Sequence, residues 1–258
     1  MLPLQTHLDA LVERFNTPAF FIANDPISIP HRFSKRQDIE IASFWVAMLS
    51  WGQRATIINK SNELFALMDG APHDFITNHT ERERERFLAF KHRTFQADDT
   101  LGFLSFLQQH YQNHDTLETA FVQHLSPDAT DTTAALIGFH NYFFATPYVL
   151  ERTRKHISTP LRGSACKRLC MFLRWMMRRD GCGVDFGLWQ NISPAQLVIP
   201  LDVHVERQAR RLGLLHREKA DWRAALELTV NLRRLDPTDP VKYDFALFGL
   251  GILAKEVL

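Results

Sequence analysis

The sequence is poor in cysteine, in turn-forming residues and in net charge, and each shortage excludes something. Its three cysteines, Cys166, Cys170 and Cys182, fall in one short stretch. That odd number cannot build a disulfide framework and fits a reducing cytoplasm. Eleven glycines and twelve prolines in 258 residues are few, and Asn-Gly or Asp-Gly hairpin signals are nearly missing, which argues against a β-rich fold. Thirty Lys and Arg against 29 Asp and Glu leave +1, so affinity for a nucleic acid or a membrane must come from a local patch. No long hydrophobic run is present, since residues 41–51 and 245–254 each make about half a membrane span. The N-terminus lacks a basic segment and Asp9 interrupts its apolar residues, so no signal peptide is expected and the expected location is cytoplasmic.

What the chain does have is helical periodicity. In residues 39–51, Ile41, Phe44, Trp45, Met48 and Leu49 recur at the i, i+3, i+4, i+7, i+8 spacing of a buried helix face. The same pattern returns at 101–111, 117–124, 134–143, 165–178, 203–214, 222–232 and 243–253. Breaks fall at 24–32, 126–133, 159–163, 180–200 and 236–240, most of them marked by proline. The alternating charges of residues 80–86 predict a solvated helix face with no assigned role. The expected fold class is all-α, with roughly ten helices.

Residues 151–180 are the most basic part of the chain, with nine cations against Glu151 and Asp180, a local +7. On a helix over 165–178, Ala165, Leu169, Phe172, Leu173 and Met176 form the core stripe. Lys167, Met171, Arg174 and Arg178 follow one another on the opposite side. Such a face can meet phosphates, or it can simply be a solubilising surface. Further on, Pro200-Leu201-Asp202-Val203-His204-Val205 puts an aspartate where a helix cap belongs, ahead of the stripe Val205, Ala209, Leu212. Asp202 can be a cap and nothing more, or a carboxylate at the mouth of a cleft with a histidine two residues on.

Taken in order, these segments resemble the helix-hairpin-helix DNA glycosylases of the endonuclease III and 8-oxoguanine glycosylase type, in a bacterial branch. Gly163-Ser164-Ala165-Cys166-Lys167 matches the hairpin glycine four residues before a lysine. Asp202-Val203-His204-Val205 and Arg207 match the family's D-x-H-(V/I)-x-R stretch, and Met48 to Gln53 followed by Asn59-Lys60 looks like its L-S-x-Q…N-K helix pair. The likeness covers roughly residues 38–70 and 158–215, with the 243–253 helix in the place of the family's closing helix. Departures are visible too. Ala165 replaces the hairpin's second glycine, Pro160 interrupts its first helix, and Gln53 is displaced by one position. Lys167 and Asp202 stand 35 residues apart, so residues 179–198 read as an insertion. No four-cysteine loop follows, which excludes an iron–sulfur cluster, and the cysteines lack the spacing of a structural zinc site; no cofactor is expected.

The resemblance implies two helical lobes with a cleft between them, residues 36–199 forming one and residues 1–35 with 200–258 the other. It implies a monomer acting on double-stranded DNA that carries a damaged or modified base. Asp202 would stabilise the oxocarbenium-like sugar, and Lys167, with Arg168 beside it disfavouring the charged form, would attack the anomeric carbon and form a Schiff base. Gln53 or Arg54 would fill the gap left by the flipped base. Met171, Trp175 and Trp189 would line the base pocket, while Arg162, Gly163, Ser164, Ala165, Arg168 and His204 would hold the DNA backbone. Each residue also has a plainer structural reading: Lys167 as a surface cation, Trp175 and Trp189 as core. Two competitors stand beside glycosylase chemistry: a DNA-binding protein that has lost it, and a helical scaffold for another protein.

Overall fold

The computed structural model describes residues 2–23, 25–126 and 128–256. Asn24, where the first expected break begins, lies outside them. Twelve α-helices appear among the described residues. They are α1 (Leu2–Phe15), α2 (Pro18–Phe21), α3 (Arg36–Leu49), α4 (Arg54–Ala66), α5 (Pro72–Asn78), α6 (Ala97–Tyr111), α7 (Thr119–Val122), α8 (Thr133–Phe144), α9 (Lys167–Met177), α10 (Val203–Arg211), α11 (Trp222–Arg233) and α12 (Tyr243–Glu256). The described residues contain no strand; the one extended pairing is an isolated bridge between His92 and Phe95. None of the helices is long and apolar enough to cross a membrane.

Proline explains the breaks. Pro26, Pro30, Pro160, Pro194 and Pro240 each open a short 3-10 turn, at the first position, where the missing N–H has no partner to lose. The expected 117–124 helix shrinks to the four residues of α7. Residues 80–86 fall mainly in a 3-10 turn, Glu81–Phe87, opened by a Thr80–Glu83 capping box.

The chain packs as two compact units. One comprises residues 25–125 and 135–158, the other residues 2–23, 126–134 and 159–256. This differs from the expected lobes in placing residues 126–134 and 159–199 with the terminal segments and residues 25–35 with the other unit.

The first unit is organised by aromatic burial. Phe44 stacks on Phe103 at 5.5 Å and meets Phe139 edge-on at 5.7 Å, and Phe121 lies 4.1 Å from Phe139 in parallel. Each such side chain gains about 1.5–3 kcal/mol from burial. The carboxylate of Glu40 is closed inside this core. It accepts from the Tyr111 hydroxyl at 2.9 Å, the Thr116 hydroxyl at 2.7 Å, the Leu117 amide at 2.9 Å and the half-exposed Arg36 at 3.0 Å.

In the second unit α12 runs against both α1 and α10. Its other organising element is α9, whose buried residues include charges as well as apolar groups.

Candidate functional site

The site is built around the two ends of α9. Before the helix, Thr159 caps the Pro160–Arg162 turn and Gly163 closes it at a φ of 70°, a conformation that glycine adopts without cost. The Ser164 hydroxyl accepts from the Cys166 amide at 3.1 Å. Cys166 then stands in the left-handed region, φ 50°, as the N-cap. No α-helix lies between Phe144 and Lys167 among the described residues; two 3-10 turns, Glu151–Lys155 and Pro160–Arg162, stand where the resemblance implies the hairpin's first helix. Arg162 and Gly163 are exposed, Ser164 and Ala165 half-buried.

Lys167 is the first residue of α9, and its Nζ lies 3.7 Å from Oδ2 of Asp202. The 34 intervening residues therefore do not separate the pair. Asp202 divides its two oxygens between tasks. Oδ1 accepts from the amides of His204 at 2.8 Å and Val205 at 2.9 Å, capping α10, while Oδ2 faces the lysine. The cap is present, and it leaves one oxygen for chemistry. His204 donates from Nδ1 to the Gly251 carbonyl at 3.2 Å and sets its ring edge-on to Phe248; that bond holds the ring against α12 with Nε2 on its far side.

Two turns along α9, the expected cationic face is overturned. Arg174 and Arg178 are each 2% exposed, and both are enclosed by carboxylates. Arg174 donates to Asp185 at 3.2 Å and to Asp244. Arg178 donates to Asp185 at 2.6 Å, to Asp180 at 2.9 Å and to Asp239 in a fork at 3.0 and 2.9 Å. Of the cations read as one face, only Lys167 keeps a partly exposed side chain. Arg168 is half-buried, and desolvation pulls its guanidinium down to about 10, still a cation at neutral pH.

Residues 179–198, read as an insertion, fold back on the end of α9. The Phe186 amide bonds to the Trp175 carbonyl at 2.8 Å and the Trp189 amide to that of Met176 at 2.9 Å. Gly187 (φ 58°) can only be glycine, because a β-carbon there would lie 2.7 Å from the Arg178 carbonyl oxygen. Trp175 and Trp189 are 1% and 2% exposed, and Trp189 packs edge-on against Phe172 at 5.2 Å. Both belong to the core of the unit, where they offer no open surface to a base. Met171 is half-buried.

Two guanidiniums thus face four carboxylates, Asp180, Asp185, Asp239 and Asp244. Asp244, in the first turn of α12, has its affinity for a proton raised. Burial pushes its carboxyl up to about 6, against the pull of Arg174, and the nearby charge of Asp202 adds to the rise. None of these four acids was singled out from the sequence. The signal available was two arginines one turn apart on a helix with acids in the following loop.

Gln53 and Arg54 belong to the other unit. Gln53 is exposed as the N-cap of α4 with no side-chain bond to it, and Arg54 pairs with Asp25 at 3.8 Å. The turn before them is held by Trp51, which stacks on His156 at 5.4 Å and accepts from the His92 ring at 3.2 Å.

A family model described as "Protein of unknown function (DUF2400)" matches residues 25–253, and the chain belongs to that family. No curated protein and no solved structure matches it.

Proposed function

We propose that this DUF2400 chain is a DNA-binding protein of the base-excision type, with Lys167 and Asp202 as its reacting groups. The observation that carries the reading is the ion pair at 3.7 Å between a lysine at the start of one helix and an aspartate at the start of another. A helix cap alone needs no lysine facing it.

In this reading Lys167, as the neutral amine, attacks the anomeric carbon of a damaged nucleotide. The N-glycosidic bond breaks and its electron pair leaves with the base. The nitrogen's proton passes to Oδ2 of Asp202, which hands it to the ring oxygen as the sugar ring opens to the protonated Schiff base, and the departing base anion takes a proton from water. Until then ionised Asp202 stabilises the positive charge growing on the sugar, a contact made mainly in the transition state. Gly163 and Arg162 are exposed beside this pair and suit phosphate contacts, and His204 has Nε2 for another. Gln53 and Arg54, exposed at a turn in the other unit, are the candidates for the space of the extruded base. The fold belongs, on this reading, with the helix-hairpin-helix glycosylases.

The missing first helix of the hairpin favours a second reading, a DNA-binding protein without the chemistry. Borohydride trapping decides between them. The intact chain is reacted with duplexes bearing oxidised, deaminated and abasic sites, with Lys167→Ala as control. A covalent adduct that disappears in the variant supports the lysine mechanism. An adduct that persists in the variant removes Lys167 from it. Salt-sensitive duplex binding without any adduct supports the second reading, and no binding at all overturns both.

A further inference from the structure

The unit of residues 25–125 and 135–158 carries a groove that base-excision chemistry leaves unused. It holds about 590 Å³ and is bordered by the Glu81–Phe87 turn, by α6 and by the segment after α8. Leu88, Tyr148 and Leu150 line it, three of the seven large apolar side chains that stand exposed among the described residues. Scattered exposed leucines need no explanation, but a cluster around a concavity does. Tyr148 makes the case sharper. It is 91% exposed and has a φ of 68°, a conformation that costs a residue with a β-carbon about 1–3 kcal/mol. The fold thus tolerates strain to hold an aromatic ring in water at the edge of a groove.

The rim is acidic. Glu81, Glu85 and Asp98 border the groove against Arg84, which pairs with Glu81 at 3.4 Å, and Arg152, which pairs with Asp98 at 3.6 Å, so the rim keeps one carboxylate in excess. The Arg84 guanidinium donates to Gln108 at 2.8 Å, to Ser105 at 3.2 Å and to the His79 ring at 3.0 Å. Carboxylates around apolar walls repel nucleic acid and anionic membranes. They also disfavour a second copy of this chain, because a symmetric contact would set one acidic rim against another.

We propose that this groove docks a short segment of a partner protein that joins bulky apolar side chains with Lys or Arg. The apolar side chains enter between Leu88, Leu101 and Leu150 against the Tyr148 ring, and the cations meet Glu81, Glu85 and Asp98.

The test selects random twelve-residue peptides displayed on phage against the intact chain, then titrates the selected peptides by fluorescence anisotropy. Enrichment of Leu, Phe or Trp together with Lys or Arg is expected. Affinity should fall at least tenfold in Leu88→Glu and weaken with salt, and Glu85→Lys should reduce that salt dependence. Tyr148→Gly separates binding from structure. It removes both the ring and the strain, so binding should fall while the melting temperature holds or rises. A lower melting temperature with unchanged binding would make Tyr148 structural and overturn its part. Failure to select peptides, selection of acidic ones, or equal binding to Leu88→Glu would overturn the proposal. So would a dimer in sedimentation that Leu88→Glu dissolves.

Discussion

Glu40 and Asp185 are both carboxylates closed off from water, one in each unit, and they are held by different means. Glu40 sits among phenylalanines and takes two hydroxyls, one amide and a single half-exposed arginine. Asp185 is shared between two buried guanidiniums, which are themselves shared among three further aspartates. The first arrangement fixes one local geometry inside a core specified by volume. The second ties the end of α9 to the following loop, to Asp239 and to the start of α12, and it contains more negative than positive charge. A surplus of that kind favours a bound proton, and the charge of Asp202 extends it toward the Lys167 pair.

Breaking the ionic core should have the largest effect. Arg178→Ala takes the guanidinium from Asp180 and Asp239, leaves Asp185 to Arg174 alone, and should cost about 3–5 kcal/mol in urea denaturation, as much as Phe103→Ala in the aromatic core. Arg178→Lys should recover only part of it, since an ammonium keeps the charge but not the fork. A loss below ~1 kcal/mol for Arg178→Ala would mean that the network is peripheral to stability. Next comes Asp202→Asn, expected to slow base release by at least ~10²-fold while changing stability by under ~0.5 kcal/mol, because Asn caps a helix as well as Asp. Equal losses of both would reduce Asp202 to its cap. Glu40→Gln keeps the shape of its site and should lose about 1.5–3 kcal/mol, the worth of hydrogen bonds to a charged group; thermal unfolding checks it.

The smallest effect is a pH dependence. With its carboxyl pushed up to about 6, Asp244 binds a proton more tightly in the folded chain than in the unfolded one. Its contribution to stability is therefore complete below about pH 4 and is lost as the pH rises through 6. The melting temperature of the native chain should fall across that window relative to Asp244→Asn. A constant difference between the two would show that Asp244 is ionised throughout.

The helices were legible where burial is apolar. Residues 41–49 and 101–111 display their spacing because non-directional burial leaves a periodic trace in the sequence. The ionic core leaves no such trace. Arg174 and Arg178 have the spacing of one helix face with Lys167, and an arginine run of that kind ordinarily faces water. Their partners Asp239 and Asp244 are 61 and 70 residues further on, a distance over which periodicity carries no information. Lys167 and Asp202 could be picked out by motif, and their spacing looked excessive only because the course of residues 179–198 cannot be read from composition. Trp175 was a choice between core and pocket that the sequence alone leaves open, since both surroundings want an aromatic ring.

The return of residues 179–198 onto α9 has a consequence for how the chain can vary. The Phe186 and Trp189 amides occupy the carbonyls of Trp175 and Met176, and Asp185 is pinned by both arginines. Chain length is therefore not interchangeable along this stretch. An extra residue near Asp185 would shift every anchored position behind it, from the Phe186 and Trp189 amides to the buried Ile192. Insertional mutagenesis would find residues 185–189 intolerant of any change in length.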